Sequence, residues 1–127
     1  MSRMNAKFCL LVAALALAAA VALGAFGAHA LKGHLSAEML SIYQTVVQYH
    51  FWHALGLLGV GVLMTRSPDG PALAGIAWLL IFGLLLFSGS LYLLALTGAP
   101  WLGAVAPLGG LAFIAAWLWL AWWAWRH

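Results

Sequence analysis

Residues 8–28 read FCLLVAALALAAAVALGAFGA, an apolar run that contains no charged side chain. A helix that spans a membrane needs about 20 consecutive apolar residues. The basic residues Arg3 and Lys7 before the run, and the AHA motif at 28–30 after it, also fit a secretory signal peptide with an A-x-A cleavage site. The apolar core of a signal peptide is only ~7–15 residues long. We therefore favour a first membrane-spanning helix.

The composition extends this interpretation to the whole chain. Of its 127 residues, 67% are hydrophobic and only 6% are charged. A soluble domain of this size could not cover its surface with so few polar groups. The sequence predicts an all-α, integral membrane four-helix bundle that forms a single transmembrane domain over residues 1–127, with spans at about 8–28, 43–64, 72–96 and 108–126.

The second span has the clearest helix signals. Ser36 is a candidate N-cap, and Glu38 in the first turn suits the positive end of the helix dipole. Nothing breaks the helix before the polar turn at 65–70. Some 28 residues at ~1.5 Å each exceed a hydrocarbon core of ~30 Å. We expect the first two turns to project beyond the hydrocarbon.

Two prolines mark the later helix starts. Pro71 fits the first turn of the third helix, because its missing N–H is not needed there. By the same reasoning we predict that Pro107 opens the fourth helix, which leaves 97–106 as an apolar loop.

The basic residues predict an orientation. Arg3, Lys7, Arg66 and Arg126 share one side of the predicted bundle, and only Lys32 lies on the other. The positive-inside rule then places both termini in the cytoplasm. Because these basic residues occur singly at the ends of apolar runs, they indicate topology and a lipid-bilayer partner, and no nucleic acid.

This topology gathers polar side chains in the outward halves of the spans. Polar groups in hydrocarbon are costly and tend to face the bundle interior. We expect a polar core in the outward half, built from one residue of span one, five of span two and three of span three: His29, Gln44, Gln48, Tyr49, His50, His53, Ser88, Ser90 and Tyr92.

Helical spacing divides the polar residues of span two between two faces. At ~100° per residue, His50 and His53 lie about 60° apart on one face. Gln44 and Gln48 form a second stripe, rotated well away from His50. One face would contact the bundle core, and the other a second subunit or a groove.

The histidines allow three interpretations. They could be satisfied by hydrogen bonds within the membrane, handle a ligand or proton, or hold a metal or haem, so no cofactor is assigned. His29, His50 and His53 are the metal candidates, because imidazole is a common ligand. A metal needs three or four ligands, Cys9 is the only cysteine, and a chain this short leaves little room for haem.

The sequence contains no known enzyme motif such as G-x-S-x-G, a P-loop or H-E-x-x-H. Its only acids, Glu38 and Asp69, fall on opposite sides of the predicted bundle, which excludes a paired-carboxylate mechanism within one chain. Glycines recur in every span and predict close helix packing. Ser88 and Ser90 on either side of Gly89 are explained by close packing as well as by a functional role. In the packing interpretation their hydroxyls bond across helices or to their own backbone.

Four segments together resemble a known family: GAFGAHAL (24–31), YQTVVQYHFWHAL (43–55), FSGSLYLLALTG (87–98) and PLGG (107–110). They are similar to the YgdD/YwdK-like small four-span membrane proteins, the domain-of-unknown-function family four-two-three. The resemblance implies a multi-pass protein of the bacterial inner membrane and supplies no function. The residues that match the family pattern are His29, Tyr49, His53, Ser88, Gly89, Ser90 and Tyr92.

Two positions depart from the family pattern. The family has glutamine at His50 and threonine at Ala106. The first departure weakens a metal pair of His50 and His53 as a family property. The resemblance therefore favours His29 with His53 as the functional pair.

Three functions remain open at this point. The first is a binding or transport protein whose outward half holds a small-molecule or proton-handling pocket, with candidate ligand-binding residues His29, Gln48, Tyr49, His53, Ser88, Ser90 and Tyr92. The second is a structural or accessory subunit that acts through helix contacts in a homo-oligomer or with another membrane protein. The third is a membrane metal or haem protein.

Overall fold

The chain folds into four long helices in a computed structural model that describes residues 4–67 and 71–127. Each of the four is long and apolar enough to cross a membrane. They are α1 (Ala6–Leu31), α2 (Ala37–Arg66), α3 (Pro71–Thr97) and α4 (Leu102–Arg126). The predicted all-α fold with four membrane helices is confirmed.

Consecutive helices run antiparallel and pack side by side. On α1 and α2, Gly27 lies against Tyr43 at one end, and Cys9 lies against Gly61 at the other. The pairs α1–α2, α2–α3 and α3–α4 pack closely along their backbones, whereas α1 and α3 do not. A cavity forms in the space that this leaves between α1 and α3.

The largest apolar cluster lies toward the end of the bundle that holds both termini. Cys9, Leu57, Ile76 and Ala116, one from each helix, are completely buried in it. Outward-facing leucines on the same helices are exposed, with Leu85 at 69%. Such a surface suits contact with lipid, because lipid tails are as apolar as leucine.

The predicted start of α2 is confirmed. The Ser36 side chain accepts a hydrogen bond of 3.1 Å from the Met39 N–H, and Glu38 lies in the first turn. The helix ends at Arg66. The predicted turn that follows includes residues 68–70, which lie outside the described part of the chain, as do residues 1–3 with Arg3 of the predicted basic start.

The predicted role of Pro107 is wrong. The fourth helix begins at Leu102, so Pro107 lies inside it. In its first turn, backbone N–H groups donate hydrogen bonds to the carbonyl three residues earlier. One example is the Leu102 N–H, which donates to the Ala99 carbonyl at 3.2 Å. Leu102 and Ala106 are both 6% exposed, and their burial keeps this turn helical. Membrane helices tolerate an internal proline when neighbouring groups satisfy the freed backbone.

Two helices contain a π-helical turn. Residues Gly27–Leu31 form the last turn of α1, and Leu84–Ser88 interrupt α3. Such turns are rare and often lie at functional sites, because they rotate the side chains that follow. The turn in α3 immediately precedes Gly89 and Tyr92, which lie at the candidate site.

Glycines allow the closest helix contacts, as predicted, but not at every position. A Cβ atom built on Gly109 would lie 2.8 Å from the Phe87 Cα, so α3 and α4 touch there through backbone atoms. Gly27 similarly makes room for the Tyr43 ring. At Gly59 and Gly89 a Cβ would meet nothing within 4 Å, so these two do not serve close packing in this chain.

Tyr43 joins α2 to α1 through a buried hydrogen bond. Its hydroxyl donates to the Leu23 carbonyl at 2.6 Å, and the side chain is 1% exposed. Replacing Tyr43 with phenylalanine should lower the free energy of unfolding by about 1 kcal/mol, because the ring stays packed while the hydrogen bond is lost. Thermal unfolding in detergent measures this. The matched control is Tyr49→Phe, since the Tyr49 hydroxyl has no hydrogen bond among the described residues, and equal losses in both variants would contradict the prediction.

Candidate functional site

His50 lies at the middle of α2 and faces α3 and α1. Its Nδ1 and the Tyr92 hydroxyl are joined by a hydrogen bond of 2.9 Å. The imidazole ring also reaches the backbone of Ala16 on α1. When the imidazole carries its proton on Nε2, the Tyr92 O–H donates to Nδ1. His50 is 7% exposed, so this pair lies inside the protein.

Tyr92 is held in place by a second tyrosine. The rings of Tyr43 and Tyr92 meet edge to face with their centroids 5.4 Å apart. Tyr43 is itself bonded to α1 through the Leu23 carbonyl. The hydrogen bond between Tyr92 and His50 is therefore supported on three helices, which fixes the position of both polar groups.

Ser88 presents a hydroxyl without a partner. The side chain is 4% exposed, and its Oγ is buried with no hydrogen bond to any described residue. A buried polar group without a partner costs roughly 1–3 kcal/mol. Ser90 differs, because its hydroxyl donates to the Phe87 carbonyl at 3.1 Å. The expected backbone bonding of these serines thus holds for Ser90 and fails for Ser88.

A cavity of about 290 Å³ adjoins these groups, between α1, α2 and α3. It exists because Ala16 and Gly89 leave space that larger side chains would fill, and a Cβ on Gly89 would meet nothing within 4 Å. Leu85 lines the cavity and is 69% exposed, so the cavity reaches the lipid-facing side of the bundle. Its lining consists of Val12, Ala16, Leu23, His50, Ile81, Leu84, Leu85, Ser88, Gly89 and Tyr92.

The position of the cavity differs from the expected outward half. On α1 it extends from Val12 to Leu23, which is about 16 Å along the helix at ~1.5 Å per residue. The cavity therefore lies at the middle of the bundle along its length. The cause is the run of small residues in the centre of α1, where Ala16 faces His50.

His53 has a different environment from His50. Its ring stacks on Phe113 with centroids 3.6 Å apart, and its Nδ1 donates to the Tyr49 carbonyl at 2.8 Å. Tyr49 and Phe87 complete an aromatic cluster around it. His53 does not line the cavity. Its contacts fit a structural role between α2 and α4.

The remaining predicted residues lie apart from the cavity. His29 is exposed in the last turn of α1. From the contact of Gly27 with Tyr43, His29 lies about 18 Å along the bundle from His53, at ~1.5 Å per residue. Gln48 is exposed on the opposite face of α2 from His50. The structure thus brings His50, Ser88 and Tyr92 together, but not His29 with His53.

The metal candidates do not converge either. Within residues 4–67 and 71–127, no three histidine, cysteine, aspartate or glutamate side chains come together as a metal-binding group. His50 and His53 direct their Nδ1 atoms to different partners, Tyr92 and the Tyr49 carbonyl. With both hydrogen bonds in place, only the Nε2 atoms of the two rings would remain for a shared metal.

Sequence reasoning missed the apolar and small residues of the site. Ala16, Gly89 and Leu85 carry no chemical signal, and their role arises only from the gap between α1 and α3. A usable signal is the seven-residue spacing of Tyr43 and His50, which puts both side chains on one face of α2.

Comparisons with known proteins identify a family that matches most of the chain. Residues 23–110 match the family described as Protein of unknown function (DUF423). The chain is 48% identical over 99 residues to UPF0382 membrane protein YwdK of Bacillus subtilis, which covers 78% of this chain and 80% of that protein. It is 46% identical over 114 residues to UPF0382 membrane protein SH2409 of Staphylococcus haemolyticus, with 90% and 92% covered. No solved structure matches the chain.

Proposed function

The chain belongs to the DUF423 family of membrane proteins, and from that premise we propose that it binds a small, uncharged, lipophilic molecule in the cavity between α1, α2 and α3. The observation that carries the proposal is the unpartnered Ser88 hydroxyl beside the His50–Tyr92 pair. A buried hydroxyl without a partner gains free energy when a ligand supplies one.

The lining defines the chemistry of the ligand. Seven of the ten lining residues, all except His50, Ser88 and Tyr92, have no hydrogen-bonding side chain, and none of the ten carries a formal charge when the histidine is neutral. A charged ligand would remain uncompensated there. The volume of about 290 Å³ is at the lower end of small-molecule pockets, which measure ~300–1,000 Å³. A mainly hydrocarbon molecule with one oxygen-containing group fits these properties better than a polar solute or a proton alone.

The route of entry follows from the exposure of the lining. Leu85 borders the cavity and faces outward, and α1 and α3 are not packed together along this side. The ligand therefore enters from the bilayer. We place the protein in the bacterial inner membrane as a single transmembrane domain with both termini in the cytoplasm, because the basic residues Lys7, Arg66 and Arg126 lie at the end of the bundle that holds the termini.

A homo-oligomer is the second candidate, and it is compatible with the first. Its support is the exposed polar face of α2, which includes Gln44 and Gln48. An accessory role in an oligomer would use helix contacts and not the cavity.

The cavity is tested by filling it. Gly89→Leu should lower the amount of retained ligand at least about tenfold, which corresponds to ~1.4 kcal/mol of binding free energy, because the new side chain occupies the cavity. The protein is extracted from cell membranes into lipid nanodiscs, and organic extracts are analysed by mass spectrometry for molecules enriched over empty nanodiscs. The matched control is Gly59→Leu, since a Cβ at Gly59 also meets nothing within 4 Å but lies away from the cavity.

Two results would contradict the proposal. One is a wild-type protein that enriches no molecule over empty nanodiscs. The other is an enriched molecule that Gly89→Leu and Gly59→Leu retain to the same extent.

A further inference from the structure

The exposed face of α2 is polar at a depth where the other helices expose hydrocarbon. Two contacts set the register between helices: His53 is stacked on Phe113, and Gly109 of α4 lies against the Phe87 backbone of α3. Counting from these contacts, the exposed Gln48 lies level with Leu108 of α4 and with the part of α3 between Leu85 and Leu93.

These neighbours show what the bilayer contacts at that level. Leu108 is 58% exposed, and Leu85 and Leu93, on either side of that level, are 69% and 52% exposed, so apolar side chains face outward there. On α1 the corresponding outward residue is Val21, at 59%. Gln48 differs from these neighbours, because its exposed side chain is polar.

The polar face is continuous and is directed away from the cavity. At ~100° per residue, Gln48 points about 160° away from His50. Gln44 lies one turn earlier on the same side, and it is flanked by the exposed Ser41 and Thr45. Neither glutamine amide makes a hydrogen bond to any described residue of its own chain. The hydrogen-bonding capacity of this face is therefore not used within the monomer.

We infer that a second copy of the chain docks on this face, with Gln48 of each copy hydrogen-bonded to Gln48 of the other. A carboxamide group contains both donors and an acceptor, so two identical side chains satisfy each other. Copies inserted in the same orientation are related by a two-fold axis along the membrane normal, which brings the same residue of each chain to the same depth.

The alternatives fit the observations less well. Lipid tails offer no hydrogen-bond partner to an amide in hydrocarbon, and glutamines in membrane helices commonly bond across helix pairs. The inference names the surface of the homo-oligomer proposed above and depends on that candidate. It does not depend on the cavity.

Cysteine cross-linking in cell membranes tests the surface. Gln48→Cys should form a disulfide-linked dimer under copper-phenanthroline oxidation, because the two-fold axis brings both thiols together. Leu108→Cys at the same depth and Leu93→Cys at a neighbouring depth are controls on other faces, and they should give at least about tenfold less dimer. The native Cys9 can stay in place, because it is completely buried.

Light scattering of the detergent-solubilised protein provides the second measurement. The wild type should be a dimer, Gln48→Leu should dissociate at least about tenfold more readily, and Gln48→Asn should restore part of the association. A dimer that cross-links through Leu93→Cys or Leu108→Cys, but not through Gln48→Cys, would overturn the assigned surface and leave the homo-oligomer intact. A monomeric wild type that does not cross-link through Gln48→Cys in membranes would overturn both.

Discussion

Replacing Gly109 with alanine should destabilise the protein by about 3 kcal/mol, the upper part of the usual range for overpacking. The same replacement at the adjacent Gly110 should be neutral or stabilising, by up to ~1 kcal/mol, because alanine has the higher helix propensity. A single methyl group is therefore expected to destabilise the protein at one position of α4 and not at its neighbour.

The difference arises from what each methyl group would meet. At Gly109 the new Cβ would lie 2.7 Å from the Phe87 Cβ and 2.8 Å from its Cα. These atoms belong to the backbone of α3 or are fixed directly to it, so no change of rotamer relieves the contact. At Gly110 the nearest atom is the Phe87 Cδ2 at 3.9 Å, an ordinary van der Waals distance.

The effect of Gly109→Ala should extend beyond the contact between Gly109 and Phe87. Gly83 on α3 faces the Phe113 ring of α4 and the Gly109 carbonyl, so the two helices approach each other over more than one turn. Phe113 also stacks on His53. Moving α4 outward would loosen the aromatic cluster as well as the contact between helices.

The measurement is equilibrium unfolding of both variants in the same detergent, followed by tryptophan fluorescence. Gly110→Ala is the control for the general effect of adding a methyl group to a glycine of α4. Equal stability of the two variants would show that α3 and α4 do not approach through Gly109.

The parts of this fold that could be predicted from sequence are those set by local chemistry. The apolar runs predicted the four helices, and Ser36 and Pro71 predicted where two of them start. The helix start predicted at Pro107 was wrong, because a residue without an N–H is compatible with a helix start but does not require one. The burial of Leu102 and Ala106 decided that question, and burial depends on how α4 packs.

The site was harder to predict because spacing alone does not distinguish His50 from His53. They lie about 60° apart on the helix, and both are 7% exposed. What separates them is their neighbours: His50 meets the gap beside Ala16, whereas His53 meets the Phe113 ring. The gap itself results from side chains that are small or absent, and no residue pattern records empty space.

The two histidines should therefore respond differently to the same substitution. His50→Phe should reduce ligand retention about tenfold, because it removes the nitrogen atoms from the cavity wall and leaves the Tyr92 hydroxyl without its partner. His53→Phe should leave retention unchanged, because phenylalanine preserves the stacking on Phe113 and the lost bond to the Tyr49 carbonyl lies outside the cavity.

A third variant separates hydrogen bonding from shape at the same position. His50→Gln retains a donor and an acceptor in a smaller side chain. It should retain ligand within about threefold of the wild type, whereas His50→Phe should not. The measurement is the mass-spectrometric comparison with empty nanodiscs, with thermal unfolding to show that each variant is folded. If His53→Phe loses the ligand while a folded His50→Phe keeps it, the site lies at His53 and not in the cavity between α1, α2 and α3. If only His50→Phe loses it, hydrogen bonding by the side chain at position 50 holds the ligand in the cavity.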